Sequence, residues 1–376
     1  MKNKKTLIFL LVMITCITFC TTVSAGELKQ EGDYWVGEIN KQFQTKNTGT
    51  LVMDDINGDI TISAWGKNEV SVKEEKRMDI FSESEAKTAM EKSETGIRQE
   101  GNKIIISGPG FSRIWIRSVF RINLPAGFSC DIETKGGLID ISGLNGDVKA
   151  KTGGGKIILA DLKSTAVVST GGGNISVKNV SGDVSASSGG GSIAVSDVGG
   201  KLNLSTGGGA IQIKHVNADI NVSTGGGEIK ADDIHGELNV STGGGEIDLE
   251  NINGSIKANT GGGEINLENI KGSIKASTGG GDVSAEVTLT DFSVEHSVKL
   301  STGGGNIYLS IPAKLPATIE AEIANINNWR KSRINSDFPL TINEEGGSVK
   351  GYGDINGGGD SIGLRTGGGD INIKKQ

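Results

Sequence analysis

Rings are scarce in this chain: aromatics make up only 4% of its 376 residues, and between Phe128 and Phe292 there are none. A stretch that long without Phe, Tyr or Trp implies an interior too thin to hold them. Proline occurs five times and cysteine three times, as Cys16, Cys20 and Cys130. That is too few cysteines for a disulfide framework, so stability must come from packing and backbone pairing. Beyond the N-terminal segment no apolar run approaches the ~20 residues that a membrane-spanning helix requires, so no transmembrane segment is expected. Acid exceeds base, with a formal net charge of −7, which excludes nucleic acid as a natural partner.

The N-terminus carries Lys2, Lys4 and Lys5, an apolar run from Leu7 to Ile14, and the small-residue site Val23-Ser24-Ala25. Together these form the basic, hydrophobic and cleavage parts of a secretory signal, with cleavage expected after Ala25. Cys16 and Cys20 follow Thr15 and Phe19, not the small residues that a lipid-modification site needs. Export therefore leads to the periplasm, the cell surface or the medium.

Glycine is abundant, at 59 residues, and it is placed with a strict period. Triple glycines begin at Gly153, Gly171, Gly189, Gly207, Gly225, Gly243, Gly261 and Gly279, 18 residues apart. A fixed period of this size marks a repeat architecture in which each unit buries its apolar face against its neighbours. Within the period Gly243 to Thr260, Ile247 and Leu249 alternate with polar residues, as do Ile256 and Ala258. Period two is the strand signal, and Gly243-Gly244-Gly245 and Asn253-Gly254 supply the two corners. The fold class expected is all-β, a parallel β-solenoid with two short strands per 18-residue coil, irregular terminal modules and one short helix.

Stacking the periods gives an inward column from Ile157 to Val283 and companions two and nine residues later, four apolar side chains per coil. Two polar columns are expected to point inward at the coil ends. One comprises Asp161, Asn179, Asp197, Asp233, Asn251 and Asn269; the other contains threonines such as Thr152, Thr242 and Thr278. The triple glycines are read as corners that relieve strained dihedrals. Cys130 aligns with Val148 and Ala166 in an inward column. Large side chains gather at the two ends, with Trp35, Phe43, Trp65, Trp115 and Phe120 before the array and Tyr308, Trp329, Phe338 and Tyr352 after it. They read as thicker modules that cap the sheet edges.

Upstream, Leu51, Met53, Asp55-Ile56-Asn57-Gly58, Ile60 and Ile62 repeat the pattern of a coil, and Ser82 to Glu94 suits a short helix with a serine cap. The chain is expected to divide into a signal peptide (1–25), a lead-in (26–45), first coils with the helix and capping strands (46–128), the regular array (129–311) and closing coils (312–376). The opening Asp54-Asp55-Ile56-Asn57-Gly58-Asp59-Ile60, the Gly-Gly-Gly-x-Ile corners, Phe338-Pro339-Leu340 and the segment from Ile355 to Ile373 resemble the bacterial putative adhesin family, over roughly residues 45–376. The resemblance implies a β-solenoid domain and an adhesive role, and brings no catalytic residues to carry over.

Calcium-binding nonapeptide repeats also give 18-residue coils, but their sixth-position aspartate is matched here by Asp248 alone among the eight coils. His215, His235 and His296 share no ligand spacing, and the strand carrying Arg113, Trp115, Arg117 and Arg121 reads as an end cap with solvated arginines. One outward feature stands apart. Glu228, Glu246, Glu264 and Asp282 form one column, and Asp232, Glu250, Glu268 and Glu286 form another four residues on. Stacked like charges repel, so this acidic face is the candidate metal site, for calcium above all; no other cofactor is expected. The function expected is an exported, non-enzymatic adhesin-like or scaffold protein whose partner is an envelope protein or a surface glycan. The alternatives are an envelope-stress or cell-wall sensing component acting through a protein partner, and a carbohydrate-active β-helix enzyme, which would need convergent acids in a groove.

Overall fold

The computed structural model describes residues 24–25, 28–109, 116–324 and 332–376. Cys16, Cys20, Arg113, Trp115 and Trp329, and nearly all of the expected signal, lie outside them. The described chain is all-β apart from one helix, Glu83–Lys92, capped by Ser82, whose hydroxyl accepts from the Glu85 amide. In the array each coil gives one strand, such as Ile247–Asn253, to a first sheet and one, such as Ile256–Thr260, to a second. Both ladders are parallel and advance by one period per rung: Ile229, Ile247 and Ile265 are neighbours in the first, and Leu238, Ile256 and Ile274 in the second. The 18-residue spacing is therefore the register itself.

Ile247, Leu249, Ile256 and Ala258 are buried as the period-two pattern requires, but Ile252 is buried too. Each coil thus holds five inward apolar side chains instead of four. The cause is Asn251, whose φ of 55° is left-handed, as are those of Asp161, Asn179, Asp197, His215, Asp233 and Asn269. A left-handed residue interrupts the alternation, so Glu250 and Asn251 both face away from the core and Ile252 returns to it. This overturns the expectation that the Asn/Asp column points inward. These residue types stand there because Asn, Asp and His visit that backbone region most readily among residues with a Cβ.

The threonine column is buried as expected. Thr242 donates to the Gly227 carbonyl of the preceding coil at 2.9 Å and accepts from the Gly245 amide of its own at 3.2 Å, so it ties consecutive glycine corners together. The glycines themselves are needed for a different reason from the one expected. None of Gly243, Gly244 and Gly245 has a positive φ. A Cβ at Gly243 would instead lie 2.1 Å from the Gly225 carbonyl oxygen, and one at Gly245 would lie 2.0 Å from that of Gly227, whereas one at Gly244 meets nothing within 4 Å. Close approach of successive coils, not strained dihedrals, fixes the first and third positions.

The ends are stacked out of chain order. Near the C-terminus the chain passes from Ile307–Ile311 to Ala317–Ile323 and Ile334–Ser336, leaving a one-coil slot. Asp360–Thr366 and Ile371–Lys375 fill it: Ile362 pairs with Val298 on one side and Ile319 on the other, and Ile371 with Ile307 and Ile334. At the N-terminal end Leu51 lies between Cys130 and Ile104, and Ile60 between Ile139 and Phe120. Here the Asp55-to-Gly58 corner stacks on the glycine corner, with the Gly58 amide donating to the Gly136 carbonyl at 3.3 Å, although its pattern matches the opposite, Asn-Gly corner. Antiparallel strands finish both ends, Glu69–Met78 against Tyr34–Gln44 and Ser348–Ile355 against Ala317–Ile323. Phe43, Phe120, Phe128 and Phe338 fill these ends, but Tyr308 and Tyr352 are 42% and 51% exposed and cap nothing.

Candidate functional site

The acidic face lies on the outside of the first sheet, and the ladder makes direct neighbours of Asp232, Glu250 and Glu268. It then skips from the pair Leu267 and Ala285 to the pair Ile270 and Val287, so Glu286 alone stands opposite Glu268 and Asn269. Glu228, Glu246, Glu264 and Asp282 lie just ahead of their strands, beside the glycine corner. Carboxylate oxygens of Glu228, Glu246 and Asp248 come within 4.8 Å of one another.

That cluster already has its own counter-charge. Lys230 Nζ lies 2.7 Å from Glu228 and 3.1 Å from Asp248, and these two carboxylates hold its ammonium well above the ordinary value, Glu228 the more strongly. Asn266 Nδ2 donates to Glu246 at 3.0 Å and to Asp248 at 3.1 Å. The Glu246 carboxyl is pushed up, first by burial and then by the charge and hydrogen bond of Asp248 and the charges of Glu228 and Glu264. Calcium takes six to eight oxygens; three carboxylates with a lysine between them offer a poor start.

The second sheet presents a different outer surface. Asn203, Asn221 and Asn239 stack on successive coils, flanked by Ser205, Ser223 and Ser241, over a shallow concavity of about 610 Å³. Asn221 Nδ2 donates to Asn203 Oδ1 at 3.2 Å along the ladder. Sequence reasoning missed this uncharged face, although it could be read from the period-18 columns of the second half-repeat. Of the histidines, His215 sits in the left-handed column with Nδ1 3.3 Å from Asp197, and His296 is buried beside Asp360. Among the described residues the three do not converge.

The family model described as Toastrack DUF4097 matches residues 57–313 and again 199–374, which together cover all of the regular coils. The chain belongs to the Toastrack DUF4097 family. The likeness to a bacterial β-solenoid family of adhesin type is thereby borne out. No curated protein matches this Toastrack chain. Among solved structures, one titled as a putative cell adhesion protein from Clostridium sporogenes is 13% identical and covers 90% of this chain and 99% of that one, with a TM-score of 0.20. At that score it bears on neither fold nor function.

The N-terminal module of the Toastrack fold holds a second polar group that the sequence pattern hid. Val70, Val72, Glu74, Lys76 and Met78 face inward in turn, so two charges are buried. Glu74 Oε1 accepts from Thr95 at 2.8 Å and Ser118 at 2.7 Å and lies 3.6 Å from Lys76 Nζ. Lys76 donates to the Ser93 carbonyl at the end of the helix, and burial lowers its pKa. This group ties helix, strand and following loop together. Arg117 and Arg121 pair with Asp59 and Glu75, as suits a capping strand. Among the described residues no helix is long and apolar enough to cross a membrane.

Proposed function

We propose that this chain is an exported, non-enzymatic protein of adhesin-like or scaffold type, which offers the flat outer faces of its solenoid to a surface glycan or an envelope protein. The observation that carries the reading is the in-register ladder of amides and hydroxyls on the second sheet, Asn203, Asn221 and Asn239 beside Ser205, Ser223 and Ser241. Such columns repeat one donor and acceptor set at the ~4.8 Å rung spacing. That suits an extended polymer or another flat surface better than a small substrate, which calls for a concave pocket with convergent groups. Export rests on the basic, apolar and small-residue segments before Gly26.

The test is co-sedimentation of the purified chain with isolated bacterial envelopes, alongside a variant carrying Asn203→Glu, Asn221→Glu and Asn239→Glu. These side chains point outward, so the variant should keep its circular dichroism spectrum and its melting midpoint to within a few degrees. Pelleting of the native chain and loss of pelleting in the variant is the expected result. No pelleting of the native chain, or equal pelleting of the two, would overturn the reading.

A further inference from the structure

In three consecutive coils the two outer faces carry charges of opposite sign. In the coil carrying Glu250 on the first sheet, the second sheet carries Lys257; in the next, Glu268 is matched by Lys275; in the next, Glu286 by Lys299. The three lysines are ladder neighbours, Lys257 with Lys275 and Lys275 with Lys299, and all three are exposed. Among the described residues none of them makes an ion pair, whereas Lys149 and Lys151 of the same sheet pair with Asp131 and Glu133.

Further up the rod the same two columns carry Lys178, Ser196 and Lys214 on the first sheet and the uncharged Ser185, Asn203 and Asn221 on the second, so the opposition belongs to the coils of the lysine strip. There Asp183, Lys201 and Asp219 lie in the turns just ahead of the second-sheet strands, and Asp197 lies in the left-handed column.

We infer that the solenoid associates laterally with further copies of itself, parallel and without axial shift, the first-sheet face of one copy against the second-sheet face of the next. Both columns belong to the same coils, so a pure sideways displacement sets Lys257, Lys275 and Lys299 opposite Glu250, Glu268 and Glu286 at a common rung spacing. A slip of one coil sets the same three lysines against Asp232, Glu250 and Glu268, so charge selects the two faces and the crosslinking below reads the register. The contact joins two different faces and is not self-complementary, so it extends as an open row instead of closing as a dimer. The net charge of −7 opposes long-range approach, which confines association to contacts between the lysine strip and the acidic strip.

The proposal goes beyond the binding role above; the asparagine ladder continues into the lysine strip through the Asn239–Lys257 pair and shares its face, and the two can fail separately because envelope pelleting is read with the asparagine changes and self-association with the lysine and glutamate changes. Sedimentation velocity of the full chain should show concentration-dependent association in about 20 mM sodium chloride and a single species in about 300 mM, where charges more than ~6 Å apart are screened. K257E/K275E/K299E and E250K/E268K/E286K, all outward changes, should each remain monomeric alone. Mixed together they should associate, since each then supplies the face the other lost. Register is read with a thiol-specific crosslinker: Glu268→Cys with Lys275→Cys should link copies at least tenfold faster than Glu268→Cys with Asn221→Cys. A native chain that stays monomeric at low salt, reversal variants that associate as the native chain does, or equal crosslinking of the two cysteine pairs would each overturn it. A monomer that binds an anionic glycan through the three lysines would assign the strip to that polymer and refute self-association.

Discussion

Two adjacent glycines should respond to the same substitution with opposite sign. At Gly245 an alanine Cβ would lie 2.0 Å from the Gly227 oxygen and 2.5 Å from its carbon, about 1 Å or more inside ordinary contact. That oxygen is already bound by Thr242 at 2.9 Å, so it cannot swing aside without giving up the clamp between coils. Overpacking of a close contact costs about 1–3 kcal/mol and a lost hydrogen bond about 1 kcal/mol, so Gly245→Ala should destabilise by roughly 2–4 kcal/mol. At Gly244 the space is open and φ is negative. Alanine there restricts the unfolded chain without native strain, and should stabilise by roughly 0.4–1 kcal/mol. Thermal and urea unfolding followed by circular dichroism compare the two, and the triple changes at Gly226, Gly244 and Gly262 or at Gly227, Gly245 and Gly263 enlarge the contrast. Equal losses from both positions would show that backbone dihedrals, not the approach of neighbouring coils, demand these glycines.

Burial raises the Cys130 thiol to about 12, and the residue is 3% exposed; maleimide should leave it unmodified in the native chain and label it after denaturation, and rapid native labelling would refute its place in the core. Asn251→Val sets a β-branched side chain at a left-handed residue and should cost about 1–3 kcal/mol, while Asn251→Gly should cost less; comparable melting midpoints for the two would contradict the role of φ. Because folding raises the Glu246 carboxyl above its ordinary 4.5, the fold binds this proton more tightly than the unfolded chain does, and stability falls as pH climbs through that window. Glu246→Gln should therefore melt higher than the native chain at pH 7, with the gap closing as pH drops below 4.5; a gap that stays constant with pH would argue against it. Millimolar calcium should raise the native midpoint no more than sodium chloride of equal ionic strength, and should do so only in Lys230→Met, where the counter-charge is gone; a calcium-specific rise in the native chain would show that Lys230 yields its place.

The array was legible because one period governs everything in it: once Ile247 is inward, Ile229 and Ile265 must be. Reading within the period was weaker. Strict alternation cannot register a left-handed residue, so Ile252 went uncounted and Asn251 was turned the wrong way. Glycine tells of either free dihedrals or close contact, and only the positions of neighbouring carbonyls separate the two at Gly243 and Gly245. On the acidic face the columns were readable, but the bridging of Glu228 and Asp248 by Lys230 depends on side chains reaching between coils. Glu74 and Lys76 look like solvated charges until the helix and loop above them are placed. The stacking order at the ends was also hidden, since the pattern of Ile362 and Ile371 matches any coil and does not say which two it will lie between.

The filling of the slot by residues 360–375 makes this segment a keystone. It is internal to the stack, with Val298 and Ile307 on one side and Ile319 and Ile334 on the other. The slot stays vacant until residues 360–375 have been synthesised, so this end of the stack cannot close before them. A chain cut short near Gly358 would lose an inner course, leaving the outer strands with nothing to rest on. A copy without this segment is thus unfinished at one end however many perfect repeats precede it.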